Sequence, residues 1–155
     1  MTLDDRTQDV LDGDGVSYEV AVHAPAFTAH SAAALAHVPL DRFAKVVIVE
    51  SAAGEPLVAI VPASRHVDLS ALAEVAGRGP LALASEPECA RLFPGCELGA
   101  MSPFGNLYGL PVYVDDCLAG SGEVAFEAGR HGEVVTMSYA DFERLAHAVR
   151  GEFCR

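Results

Sequence analysis

Four consecutive β-branched residues, Val46, Val47, Ile48 and Val49, constrain this chain more than any other segment. A half-buried strand alternates polar and apolar residues, so an unbroken run of this kind needs cover on both faces. A second apolar run, residues 57–61, follows the turn residues Ala52, Ala53, Gly54 and Glu55. The two runs predict a central β-hairpin buried from both sides. The material for that cover is present: 51% of the 155 residues are hydrophobic and 21% are charged. That balance excludes a disordered or collagen-like chain and fits one domain spanning residues 1–155.

The remaining elements are short. A polar helix is expected over residues 3–11, stopped by Asp12, Gly13, Asp14 and Gly15. Residues 17–23 read as a strand with Tyr18, Val20 and Val22 on one face, ended by Pro25, which lacks an amide donor. Thr28 caps an Ala-rich helix running to residue 38, and Pro39 ends it. Asp68 caps a helix with Leu69, Leu72, Ala73 and Ala76 on one face, closed by Gly77. A short strand at 81–84 precedes a capping box, Ser85 to Glu88, that starts a helix to residue 93, where Pro94 stops it. Strands at 111–115, 123–128 and 133–137 and a helix from Ser138, with Phe142, Leu145 and Val149 facing inward, complete the chain. This order predicts an α+β domain with a curved, mixed, partly antiparallel and barrel-like sheet surrounded by short helices.

Several classes of function are excluded. Ten basic against 22 acidic residues give a net charge of −12, which argues against a surface that wraps DNA. The uncharged stretches 20–40 and 98–114 are interrupted by proline, glycine or histidine and are not membrane spans. Nothing at the N-terminus resembles an export signal, so a cytoplasmic protein is expected. No G-x-G-x-x-G or P-loop pattern is present, and no H-E-x-x-H. Cys89, Cys96, Cys117 and Cys154 form no C-x-x-C pair and are expected to be reduced thiols. No metal or organic cofactor is expected, and the Asp115-Asp116 pair reads as solubilising surface.

Two features point to chemistry. Nine of the ten basic residues are arginine, and Lys45 is the only lysine. It stands directly before the buried run, where a compact ammonium can reach a carbonyl or phosphate oxygen in a narrow pocket that a guanidinium fork would not enter. The second is the loop Gly99, Ala100, Met101, Ser102, Pro103, Phe104 and Gly105, whose glycines allow backbone amides to approach a developing oxyanion. Ala100 and Phe104 stand where a G-x-S-x-G elbow needs glycine, so Ser102 is not expected to be a nucleophile. His131, in a Gly-Arg-His-Gly sequence between two expected strands, reads either as part of an exposed hairpin turn or as a residue that lines a pocket.

These residues in this order resemble the YbaK/EbsC/ProX family. The resemblance rests on His23-Ala-Pro25-Ala-Phe27-Thr28 before the Ala-rich helix, Lys45 opening its strand, the 57–62 strand followed by the 68–75 helix, and the G-x-x-x-P loop from Gly99 to Pro103. It runs from about Tyr18 to Leu145. The family comprises free-standing relatives of the editing domain of bacterial prolyl-tRNA synthetases, which hydrolyse mischarged aminoacyl-tRNA in trans. The resemblance implies that Lys45 is the essential cation, that Gly99 through Pro103 cradle the aminoacyl ester and terminal adenosine, and that Phe27, Met101, Phe104 and His131 line the pocket. It further implies a mischarged tRNA, carrying Ala, Ser, Thr or Cys, as a weak and transient partner, with a rim of Arg42, Arg65 and Arg130 around Lys45 or a synthetase presenting the substrate. A non-catalytic module that binds an amino acid, an aminoacyl group or a synthetase with the same pocket would show association without turnover. A metal hydrolase would lose activity with a chelator.

Overall fold

A computed structural model describes residues 4–24, 27–120 and 122–155. Leu3, expected in the first helix, and Pro25, expected to end the first strand, lie outside the described residues. The elements are α1 (Asp5–Asp14), β1 (Tyr18–Val22), α2 (Ala29–Leu35), β2 (Ala44–Ser51), β3 (Pro56–Pro62), α3 (Leu69–Ala76), β4 (Leu81–Leu83) and α4 (Glu86–Leu92). They continue with β5 (Val112–Asp115), α5 (Asp116–Ala119), β6 (Glu123–Phe126), β7 (Glu133–Ser138), α6 (Tyr139–Ala146) and β8 (Val149–Gly151). Single 3-10 turns occupy Leu40–Arg42 and Gly105–Tyr108.

The expected hairpin is the centre of the molecule. β2 and β3 pair antiparallel from Ala44 opposite Pro62 to Glu50 opposite Pro56. They lie in a mixed five-stranded sheet of order β4-β2-β3-β5-β8, in which β5 runs parallel to both β3 and β8. Alternation then separates two cores. Ala44, Ile48, Val58, Ile60, Val112 and Val114 face a core shared with Phe104, Phe126 and Phe142. Val49, Leu57, Ala59 and Val61 face the other way, onto Leu72 of α3 and Phe153.

A second, antiparallel sheet of order β1-β7-β6 meets the first where Phe43 and Ala125 form a parallel bridge. The sheets do not close on one another, so the barrel-like expectation is corrected to two joined open sheets, with β1 and β6 ending the smaller one. β1 is an edge strand, and its Val20 and Val22 are exposed.

Three helix starts follow the expected caps, and the helix expected from Ser138 is capped by that residue. Thr28, Asp68, Ser85 and Ser138 accept from the amides of Ser31, Ala71, Glu88 and Asp141. The ends differ. His37 (φ 58°) and His147 (φ 52°) take left-handed backbone, so α2 and α6 stop earlier than expected and Val149 enters β8 instead of a helix face. Gly105 sits against buried Val58, whose Cγ2 would be 2.4 Å from an added Cβ. Gly105→Ala is therefore expected to cost about 2 kcal/mol by overpacking, read as a lower denaturant midpoint.

Asp115 is buried, which corrects its reading as surface; its neighbour Asp116 is exposed. Its Oδ1 accepts the amide of Cys117 at 2.9 Å, and its Oδ2 accepts those of Phe153 at 2.8 Å and Cys154 at 2.9 Å. The segment so held pairs with residues 66–68. His66 and Arg155 exchange amide-to-carbonyl bonds of 2.8 Å, and the Asp68 amide donates to the Phe153 carbonyl at 2.7 Å. The strap thereby braces the wall beside Lys45.

Candidate active site

Lys45 lies opposite Val61 near the open end of the central hairpin, half-buried, where the two faces of the sheet come within reach of one side chain. Its Nζ donates to the main-chain carbonyl of Arg65. Burial pushes its pKa below the ordinary lysine value. Two clefts share it. A small one of about 190 Å³ is lined by Phe27, Lys45, Gly99, Ala100, Met101 and Glu127 among others. A larger one of about 510 Å³ lies across Lys45 and includes Val47, His66, Asp68, Leu83 and Arg155.

The loop wall of the small cleft is fixed by main-chain bonds. The Ala100 amide donates to the Glu97 carbonyl at 3.0 Å, the Gly129 amide to the Ala100 carbonyl at 2.7 Å, and the Glu97 amide to the Gly129 carbonyl at 2.8 Å. Gly99 takes φ 84°, and an added Cβ would lie 3.4 Å from Cε1 of His131 and 3.5 Å from the Phe27 carbonyl oxygen. Glycine is thus favoured there by its left-handed backbone, while the added Cβ would sit in ordinary contact with its neighbours. His131 stacks obliquely on Phe27, with ring centroids 5.0 Å apart, and its Nε2 donates to the Leu98 carbonyl at 2.7 Å.

Beneath this wall lies a carboxylate that the sequence reading did not select. Glu127 follows β6 and lines the small cleft, yet is only 5% exposed. Its Oε2 lies 3.4 Å from Nδ1 of His131 without hydrogen-bond alignment, and each of the two buried atoms lacks a hydrogen-bond partner. Burial pushes the Glu127 pKa up to about 7 against the opposing pull of His131, and Glu97 adds to the rise. The available signal was a glutamate in an otherwise apolar stretch, Val124 to Ala128, four residues before a histidine.

A small cleft and a larger one, divided by a single amine, invite comparison with known proteins. The sequence model of the aminoacyl-tRNA editing domain matches residues 23–145. The chain belongs to the aminoacyl-tRNA editing domain family. The fold of this editing domain is shared by the hypothetical protein APE2540, with 22% identity, a TM-score of 0.87, and coverage of 97% of this chain and 100% of that one. It is also similar to a proposed trans-editing enzyme for prolyl tRNA synthetase, at 25% identity and TM-score 0.82, covering 97% of this chain and 95% of that one. A signal transduction protein from Marinobacter aquaeolei VT8, so named provisionally, carries the fold in 31% of its length, matching 98% of this chain at 24% identity and TM-score 0.73. No curated protein matches the chain.

Among the residues selected from the sequence, the editing domain brings Phe27, Lys45, Gly99, Ala100 and Met101 around one cleft, with His131 packed behind Gly99. Ser102, Pro103 and Phe104 turn inward. The Ser102 hydroxyl lies 2.6 Å from that of Thr7, which donates to Asp4, and Phe104 packs between Phe126 and Phe142 at 5.6 and 5.5 Å. These three support the wall from behind and do not face the cleft. The three arginines do not form one rim. Arg130 bonds the carbonyls of Gly95 and Gly129, Arg42 lines a separate cavity with Val38 and Thr136, and Arg65 offers its carbonyl to Lys45.

Among the described residues one group, Asp115, Cys117 and Cys154, brings three metal-ligating atoms within 4.8 Å of one another. It lines neither cleft. No helix of the described residues is long and apolar enough to cross a membrane.

Proposed function

We propose that this editing domain is a trans-acting aminoacyl-tRNA deacylase that hydrolyses the ester of a mischarged tRNA carrying a small amino acid, Ala, Ser, Thr or Cys. The observation that carries this reading is the position of Lys45 between the two clefts. The small cleft, at about 190 Å³, lies below the roughly 300–1,000 Å³ of most small-molecule sites, which suits a short acyl group. The larger, at about 510 Å³, has room for a terminal nucleoside. An ester spanning the two places its carbonyl beside the amine.

In this mechanism water attacks the carbonyl carbon, the carbonyl oxygen takes up negative charge, and the Lys45 ammonium exchanges the Arg65 carbonyl for that oxygen. Preorganised charge in a partly desolvated site stabilises the oxyanion. Collapse then breaks the bond to the ribose oxygen, which leaves with the proton shed by the attacking water. Neither a serine nucleophile nor a metal ion enters the sequence of steps. The −12 charge fits weak, salt-sensitive contact with tRNA or delivery by a synthetase; the similar trans-editing protein is described as one for prolyl tRNA synthetase.

A deacylation panel with tRNAs mischarged with Ala, Ser, Thr and Cys tests the reading. Release of amino acid that a chelator does not slow is expected. Saturable binding with no release would favour a binding module, and chelator-sensitive release a metal hydrolase. Gly99→Ala, which strains the backbone at φ 84° beside His131 and Phe27, is expected to slow release by about tenfold and to lower the melting midpoint by only a few degrees.

A further inference from the structure

Behind Gly99, at the edge of the small cleft, hydrogen-bonding capacity is left unused. His131 donates its Nε2 proton to the Leu98 carbonyl, which leaves Nδ1 turned toward Glu127. Nδ1 and Glu127 Oε2 lie 3.4 Å apart, and neither buried atom has a hydrogen-bond partner. Two buried polar atoms this far apart and out of line are poorly satisfied, and a donor from outside can complete them. Lys45 does not meet this need, because its amine is held at the Arg65 carbonyl. Among the described residues, the other titratable group that acts on Glu127 is Glu97, which deepens the negative field.

A group with several N–H donors and a positive charge would satisfy both atoms at once. Resting on the deacylase reading, we propose that Glu127 and His131 form an ammonium subsite that takes the α-amino group of the aminoacyl ester, with Glu127 as its charged acceptor. The subsite divides the work of the cleft: Lys45 meets the carbonyl oxygen, and the carboxylate meets the amine two bonds from that oxygen's carbon. It selects a free α-amine and rejects acyl groups that lack one, which separates an aminoacyl-tRNA from peptidyl-, N-formyl- or hydroxyacyl-tRNA. Glu127 and His131 are positioning residues in this role.

The test compares alanyl-tRNA with lactyl-tRNA, in which a hydroxyl replaces the amine, and in parallel measures binding of the non-hydrolysable 3′-amide-linked alanyl and lactyl adenosines. The parent protein is expected to prefer the amine in both assays by about 10- to 100-fold, the worth of a charge-assisted hydrogen bond. Glu127→Gln keeps the shape and removes the charge, and is expected to reduce the preference for the amine to within about threefold in both assays. Equal hydrolysis of alanyl- and lactyl-tRNA by the parent overturns the subsite and leaves the deacylase standing. Preferential binding of the alanyl adenosine without any hydrolysis does the reverse. The comparison within the parent needs no variant, so a Glu127→Gln protein that fails to fold does not rescue the idea.

Discussion

Lys45→Ala is expected to lower kcat/KM for the best mischarged tRNA by about 10²- to 10³-fold, the scale seen when one oxyanion-stabilising donor is removed. The argument is geometric. The amine stands at the junction of two clefts, and burial already weakens its hold on a proton, so a neighbouring oxyanion strengthens its charge at little cost in reorganisation. Folding should survive. Lys45 is half-exposed at a strand end, and the Arg65 carbonyl that it releases can turn to water, so the melting midpoint should move by only a few degrees. Lys45→Arg should restore little activity, because a planar fork cannot occupy the point-charge position between the clefts. A Lys45→Ala protein that deacylates as fast as the parent would remove the amine from the mechanism.

The second large effect is on stability. Asp115→Ala is expected to cost about 3 kcal/mol, since it leaves the buried amide of Phe153 and the partly buried amides of Cys117 and Cys154 without their acceptor. Burial pushes the Asp115 pKa up, but the amides of Phe153 and Cys117 outweigh it and the net shift is downward. A carboxylate held below its unfolded value adds stability above the ordinary Asp range and loses it as the pH falls through the folded value. Parent and variant should therefore differ most at neutral pH and converge in strong acid. Chemical denaturation across that range measures it, and a constant difference down to strong acid would contradict the assignment to the charged form.

The central hairpin was legible because an uninterrupted β-branched run leaves no polar face to expose, and the caps at Thr28, Asp68 and Ser85 because their chemistry is local. β8 was not legible. Val149, Arg150 and Gly151 become a strand only where β5 offers an edge, a long-range condition that the helical spacing of Phe142, Leu145 and Val149 obscured. In the candidate site, Lys45 stood out by being the chain's one lysine, and Gly99 by its place in a Gly/Pro loop. The same loop misled at Ser102 and Phe104, because proximity in sequence does not say which side of a wall a side chain takes. Glu127 escaped notice because the sequence reads it as the end of a strand, where a lone glutamate ordinarily faces water, and His131 comes beside it only when the turn between β6 and β7 folds back.

The single lysine side chain has a practical corollary. An amine-acylating reagent finds one lysine side chain in this chain, in the partition between the clefts, and peptide mapping separates its label from that of an α-amine. The rate at which that site takes a label thus becomes a direct gauge of occupancy, since a molecule seated on either side shields the same nitrogen.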